Sequence, residues 1–306
     1  MLKAKGQKLI ANYLKMKRGE FIKTLGGLAM MSTLDLKAFG NEMLTEKNTS
    51  RMPALFIGHG SPMNAIEDNA FTQRLHKLGN TLEPPKAIMV ISAHWQTRGT
   101  YVHTTGLPKT IHDFGGFPQA LFDVQYPAKG SPEFAQMVTD QVKSTHVMHD
   151  TEWGLDHGSW SILKQMYPNA SIPVFQMSLD FTKGPAYHYQ LAKELDALRN
   201  KGLLIIGSGN IVHNLGMIDW NKQSGGGYDW AVEFDETVKK NLLSHNHDPL
   251  VNYNQLGRSA QLSIPTNEHY LPMLYIAGLQ QKKEELSFLY EEMQMGSISM
   301  RCFMVS

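Results

Sequence analysis

The residues of this chain best suited to chemistry are histidines, and several of them stand where apolar runs end. Of the 13 histidines, His59 follows the strand-like run in ALFIGHGSPM (54–63), His94 closes AIMVISAHW (87–95), and His213 comes just after LLIIGSGN (203–210). Carboxyl ends of strands in an open α/β sheet share a rim, which is where such folds bind ligands. His157 lies between Asp156 and Gly158 with Trp153 and Trp160 nearby, and His269 lies between Glu268 and Tyr270. The single cysteine, Cys302, excludes an intrachain disulfide framework and a thiolate cage. Any metal must therefore be held by His, Asp or Glu. Three or four neutral imidazoles with an open position would suit zinc, iron, copper or nickel. On residue context alone, each of the five stands evenly between ligand and ordinary core or loop residue. His76, His103, His146, His149, His188, His245 and His247 are expected on helix surfaces or in polar loops and receive no role.

Other chemistries lack their signatures. The sequence holds no HExxH helix, no GxSxG elbow and no phosphate-binding P-loop. The Gly207-Ser208-Gly209 triplet is too short for a dinucleotide fingerprint and reads as a strand turning into a site. With 29 basic and 28 acidic residues, net charge is +1. That balance speaks against a nucleic-acid or polybasic membrane surface and favours a small neutral or anionic partner.

The elements that must position these histidines alternate along the chain. Strands are expected at 53–58, 87–95, 172–180 and 203–210, with a last one near 297–305. Helices are expected at 69–79, 131–144, 186–202 and 229–244, and after residue 272. Residues 101–130, rich in Gly and Pro, read as loop. The two strands ending at His59 and His94, joined by a helix, form a βαβ unit that would bring both ends to one sheet edge. The fold class expected is a single α/β domain: a central mixed, mostly parallel sheet with helices on both faces.

Composition shifts near residue 50. Residues 1–50 read as a Lys-rich N-terminal extension, a helix and linker, with 51–306 as the catalytic domain. The run Met16 to Lys23 is similar to a twin-arginine export signal with lysine in place of the first arginine. The expected location is the cytoplasm, with export through that segment as the alternative. No run approaches the ~20 apolar residues of a membrane-spanning helix.

Six segments in order carry a family resemblance: GHGSPM (58–63), SAHW (92–95), IHDFGGFP (111–118), DHGSW (156–160), SGNIVHNL (208–215) and NEHYLP (267–272). Together they resemble the class III, LigB-type extradiol ring-cleavage dioxygenases, in the 4,5-DOPA dioxygenase extradiol branch, from about Met52 to the C-terminus. The resemblance implies that His59, His94 and His269 hold one mononuclear metal, and that His213 is the catalytic base and close enough to be a fourth ligand. His269 stands where protocatechuate-cleaving relatives have glutamate. His157 matches a second active-site histidine that contacts substrate. Asp156 either orients His157 or caps the turn that follows it. His112, Phe114, Phe117, Asp156 and Tyr270 are the residues expected to line the substrate pocket. Fe(II) is the implied metal for activity and Zn(II) the alternative occupant. The implied partners are a catechol such as L-DOPA and O2, with no nucleic acid, no membrane, and a monomer or small homo-oligomer. Two other classes stay open at this stage: a zinc hydrolase using the same histidines, and a non-catalytic binding protein on the same fold.

Overall fold

The computed structural model describes residues 51–306 apart from 223 and 224, so the expected extension and its export-like run lie outside the described residues. Eight strands make one sheet: β1 Ala54–Gly58, β2 Ala87–Thr97, β3 Thr100–His103, β4 Val147–Asp150, β5 Val174–Asp180, β6 Leu203–Gly209, β7 Leu286–Tyr290 and β10 Cys302–Val305. Two short strands, β8 Met293–Gln294 and β9 Ile298–Ser299, pair separately. The order across the large sheet is β4-β3-β5-β2-β6-β1-β10-β7. The central four strands are mutually parallel, whereas β3 runs against β5, and β10 runs against both β1 and β7. The sheet is therefore mixed and mostly parallel, as expected.

The parallel strands begin as apolar runs and are buried almost throughout, because both faces are covered, with polar residues gathering towards their carboxyl ends. Phe56, Met89, Phe175 and Ile205 face one core. Helices α2 Pro132–Gln141, α4 Pro185–Arg199, α5 Asp229–Leu243 and α6 Leu271–Leu279 contribute to it. Leu55, Ile57, Val90 and Leu204 face the other, with α1 Ala70–Thr81 and α3 His157–Met166. All nine residues of α6 are buried, which accounts for its uniformly apolar sequence. No helix among the described residues is long and apolar enough to cross a membrane.

The expected βαβ connection does bring both strand ends to one edge, with a third strand between them. β1 and β2 each pair with β6, which lies between them, so the connection through α1 skips one strand. The register places Gly58 opposite Gly209 and Ser92 opposite Ser208, which brings the strand ends level at one rim. Residues 101–130 are not all loop, since β3 extends to His103 and a short helix covers Gln119–Phe122.

The domain is closed by a buried arginine. The Arg199 guanidinium donates to the carbonyls of Met52, Leu279 and Val305 and pairs with Glu284 Oε1 at 2.7 Å. Its charge is thus compensated although its side chain is fully buried.

Candidate active site

Backbone irregularities at the rim aim the side chains. Gly60 has φ of 61°, a left-handed value that favours glycine, and it turns the chain just after His59. Asn64 Nδ2 donates to the His59 carbonyl at 3.0 Å and holds that turn. His94 does not end its strand, because β2 continues to Thr97. It sits inside a register shift between Ile91 and Gln96, where β2 advances past β5. Such bulges re-aim side chains beside functional sites. His157 is the first residue of α3, His213 follows β6 and bridges Ile298, and His269 directly precedes Tyr270 and α6.

Three imidazoles converge. One nitrogen from each of His59, His94 and His269 lies within 4.8 Å of the other two. His59 Nε2 and His94 Nε2 are 3.2 Å apart. Two imidazole ligands at metal distances near 2.0–2.1 Å and angles of 90–109° would stand about 2.9–3.4 Å apart, so the pair has the spacing of adjacent ligands.

The far nitrogens fix the tautomers. His59 Nδ1 lies 3.0 Å from Ser208 Oγ, and that hydroxyl lies 2.5 Å from the Gly158 carbonyl. A carbonyl only accepts, so Ser208 donates to it and accepts from His59 Nδ1–H, leaving a lone pair on Nε2. His269 Nδ1 faces Glu268 Oε1 at 3.2 Å, and His94 Nδ1 faces Asp113 Oδ2 at 3.4 Å. Acceptors behind ligating imidazoles orient the ring and raise its basicity. Burial, reinforced by the neighbouring imidazoles, pulls the pKa values of His59 and His269 well below the ordinary value, and burial does the same to His94. All three are neutral at pH 7, the form that binds metal. The donor set therefore fits a metal ion.

His213 stands beside this trio. Its ring stacks on His269 with centroids 3.5 Å apart and planes 8° from parallel, and its nitrogen groups with Glu268 and His269. Burial lowers its pKa to about 4. His157 lies 3.9 Å from the His94 ring. Its Nδ1 is 3.0 Å from Asp113 Oδ2, a close polar contact whose ring N–H is not aligned on the oxygen.

The residues named for the pocket fall into two sets. Phe114 meets His157 edge-on at 5.5 Å and Phe117 at 5.4 Å, and His112 meets Phe114 edge-on at 5.8 Å. Of the three, Phe114 touches the imidazole cluster, and Phe117 and His112 pack behind it. Asp156 and Tyr270 point elsewhere. Asp156 is fully buried, accepts from Ser159 N as the N-cap of α3, and is held by Ser92 Oγ and Gln176 Nε2 at 2.7 Å each. Of the two roles open to it, capping is the one its bonds make. Tyr270 sends its hydroxyl to the Leu250 carbonyl and packs on Phe234 and Tyr253, inside the core below the site. Residues without an assigned role also differ from expectation. His103 and His188 are completely buried and His247 nearly so, because each occupies an inward position of a strand, a helix or a helix start.

The polar residues behind the imidazoles, Ser208, Asp113 and Glu268, did not stand out in the sequence. Glu268 had the only local signal, its adjacency to His269. Ser208 and Asp113 meet their histidines only through the sheet register and the fold of the 111–118 loop.

Residues 53–301 match the family model for the catalytic LigB subunit of aromatic ring-opening dioxygenase. The chain belongs to that family. It is 49% identical over 257 residues to a protein of Escherichia coli K12 named 4,5-DOPA dioxygenase extradiol, covering 83% of this chain and 94% of that one. A protein of the same name from Beta vulgaris is 34% identical over 250 residues, covering 80% and 92%. A crystal structure of an uncharacterized protein from Escherichia coli K12 superposes with a TM-score of 0.73 at 44% identity, over 84% of this chain and all of that one. The chain is thus an oxidoreductase of the extradiol dioxygenase type, with a histidine cluster that could bind a metal.

Proposed function

We propose that the chain opens the ring of a catechol, of which L-DOPA is the representative named by its relatives, at a mononuclear metal site held by His59, His94 and His269. The observation that carries this is the 3.2 Å approach of two imidazole nitrogens whose opposite ring nitrogens face acceptors. Fe(II) is the ion proposed for activity, with Zn(II) as an alternative occupant of the same donor set. When bound, the metal would gather the catechol oxygens and O2 in one coordination sphere and lower the pKa of the catechol hydroxyls.

The remaining work belongs to the protein. His213, neutral at working pH, takes a hydroxyl proton from the substrate. Its stacking on His269 keeps the base within reach of atoms gathered at the site. The role of fourth ligand is the alternative for His213, and its closer grouping with Glu268 and His269 than with His59 and His94 favours the base. His157, against the His94 ring and within reach of His59, supplies a second proton-transfer group. Phe114 and Phe117, with His112, supply an aromatic wall for a planar ring.

The test is anaerobic reconstitution with Fe(II), followed by oxygen and L-DOPA. Oxygen uptake should accompany a yellow ring-opened product, and His59→Ala should abolish both. An Fe(II)-loaded protein that consumes no oxygen with any of a panel of catechols overturns the proposal.

A further inference from the structure

Asp113 occupies a position that neither the family match nor the ligand set explains. One of its oxygens, Oδ2, lies 3.0 Å from His157 Nδ1 and 3.4 Å from His94 Nδ1. The other, Oδ1, accepts the backbone N–H of His157 at 2.9 Å, at the first residue of α3. The two rings it faces are themselves only 3.9 Å apart. The loop carrying Asp113 is tied down on both sides. Trp160 Nε1 donates to the Ile111 carbonyl at 2.8 Å, Ile111 N donates to the Leu155 carbonyl at 2.8 Å, and His112 Nε2 lies 3.0 Å from the Val124 carbonyl. The carboxylate is therefore placed by the scaffold and does not follow the rings.

A neutral imidazole carries its proton on one nitrogen, and the polar group beside a ring nitrogen decides which, because an acceptor oxygen repels a lone pair and attracts an N–H. A carboxylate oxygen accepts and cannot donate, so an imidazole beside it keeps its proton on the near nitrogen. We propose that Asp113 is a positioning residue that sets two tautomers at once: it holds the proton on Nδ1 of His94 and of His157, so that each ring presents Nε2 away from the loop. For His94, Nε2 is the atom facing His59. Asp113 thereby couples a ligand of the proposed metal to the proposed second proton-transfer group through one shared oxygen. Opposite it, Ser208 performs the same service for His59 alone. The inference rests on the metal reading of the cluster, and it deepens that reading by assigning one group to two functional rings.

Asp113→Asn separates this role from mere anchoring. The asparagine keeps an acceptor oxygen for the His157 backbone N–H and replaces Oδ2 with a donor. The readouts are histidine ring-nitrogen NMR of the metal-free and Zn(II)-loaded protein, and Zn(II) affinity by chelator competition. Asp113→Asn should keep the wild-type melting temperature, shift the tautomer signals of His94 and His157, and weaken Zn(II) roughly 10- to 100-fold, the usual cost of losing a group behind a ligand. Wild-type tautomers and affinity in Asp113→Asn would overturn the assignment, as would a loss confined to Asp113→Ala, which removes the anchor as well. If the wild-type protein binds no Zn(II), the metal reading fails separately, and the metal-free tautomer signals still decide the role of Asp113.

Discussion

Ser208 Oγ lies 3.0 Å from His59 Nδ1 while it donates to the Gly158 carbonyl, so one hydroxyl links β6, the rim after β1 and the first turn of α3. The His59 tautomer is thus set by the register of a sheet and the start of a helix together. Ser208→Ala removes the acceptor with little change in volume. Zn(II) affinity should fall roughly 10- to 100-fold, read by competition with a chelator. An affinity within twofold of wild type would show that His59 is oriented without the hydroxyl.

His59 and His213 should separate binding from proton transfer. His59→Ala should lose stoichiometric metal. His213→Ala should retain metal within about tenfold while kcat falls by roughly 10²–10⁴, the span expected for loss of a positioned base. Metal analysis alongside steady-state oxygen uptake reads both. Equal loss of metal in the two variants would make His213 a ligand.

His103 should make the fold sensitive to acid. It is completely buried, neither ring nitrogen has a hydrogen-bond partner, and burial lowers its pKa from 6.5 to about 4. Between those values the unfolded chain binds the proton and the folded chain does not. Stability is therefore lost as pH falls from about 6.5 towards 4. His103→Leu removes the titrating group. Its unfolding free energy relative to wild type should rise over that window and stay flat above pH 7, measured by urea denaturation at several pH values. A difference independent of pH would show that His103 titrates normally.

Gly209 marks where backbone meets backbone. A Cβ built there would stand 2.1 Å from the His269 carbonyl oxygen, the same oxygen that accepts Asn210 N at 2.9 Å. Gly209→Ala must push the His269 segment away from β6. A stability loss of about 1–3 kcal/mol is the ordinary cost of overpacking, and metal affinity should fall with it. Denaturation and Zn(II) titration of the same variant check the pair, and wild-type affinity would mean that His269 tolerates the shift.

The histidine rim was legible in sequence because His59 and His213 follow apolar strands and His94 lies near the carboxyl end of one. The insertion of β6 between β1 and β2 was not, since strand order depends on long-range pairing that leaves no local pattern. β3, β4 and β7 escaped for a related reason. They are short strands towards the sheet margins, and the partly exposed residues of β4 and β7 give no continuous apolar run. His103 and His188 were misplaced on the surface because one polar residue at an inward position leaves the surrounding periodicity unchanged. Tyr270 was drawn towards the pocket by its neighbour His269, yet it is the N-cap residue of α6 and its ring turns into the core.

Arg199 binds the carbonyls of Met52 and Val305 from one guanidinium, and Ala54 pairs directly with Val305 across β1 and β10. The first and last strands of the catalytic unit are thus stitched side by side at the end of β1 remote from His59. A short linker could join residue 305 to residue 52 there without crossing the rim. The connectivity of the chain is then separable from the assembly of its site: a circularly permuted protein, opened at an exposed loop elsewhere, retains every contact that orients the histidines.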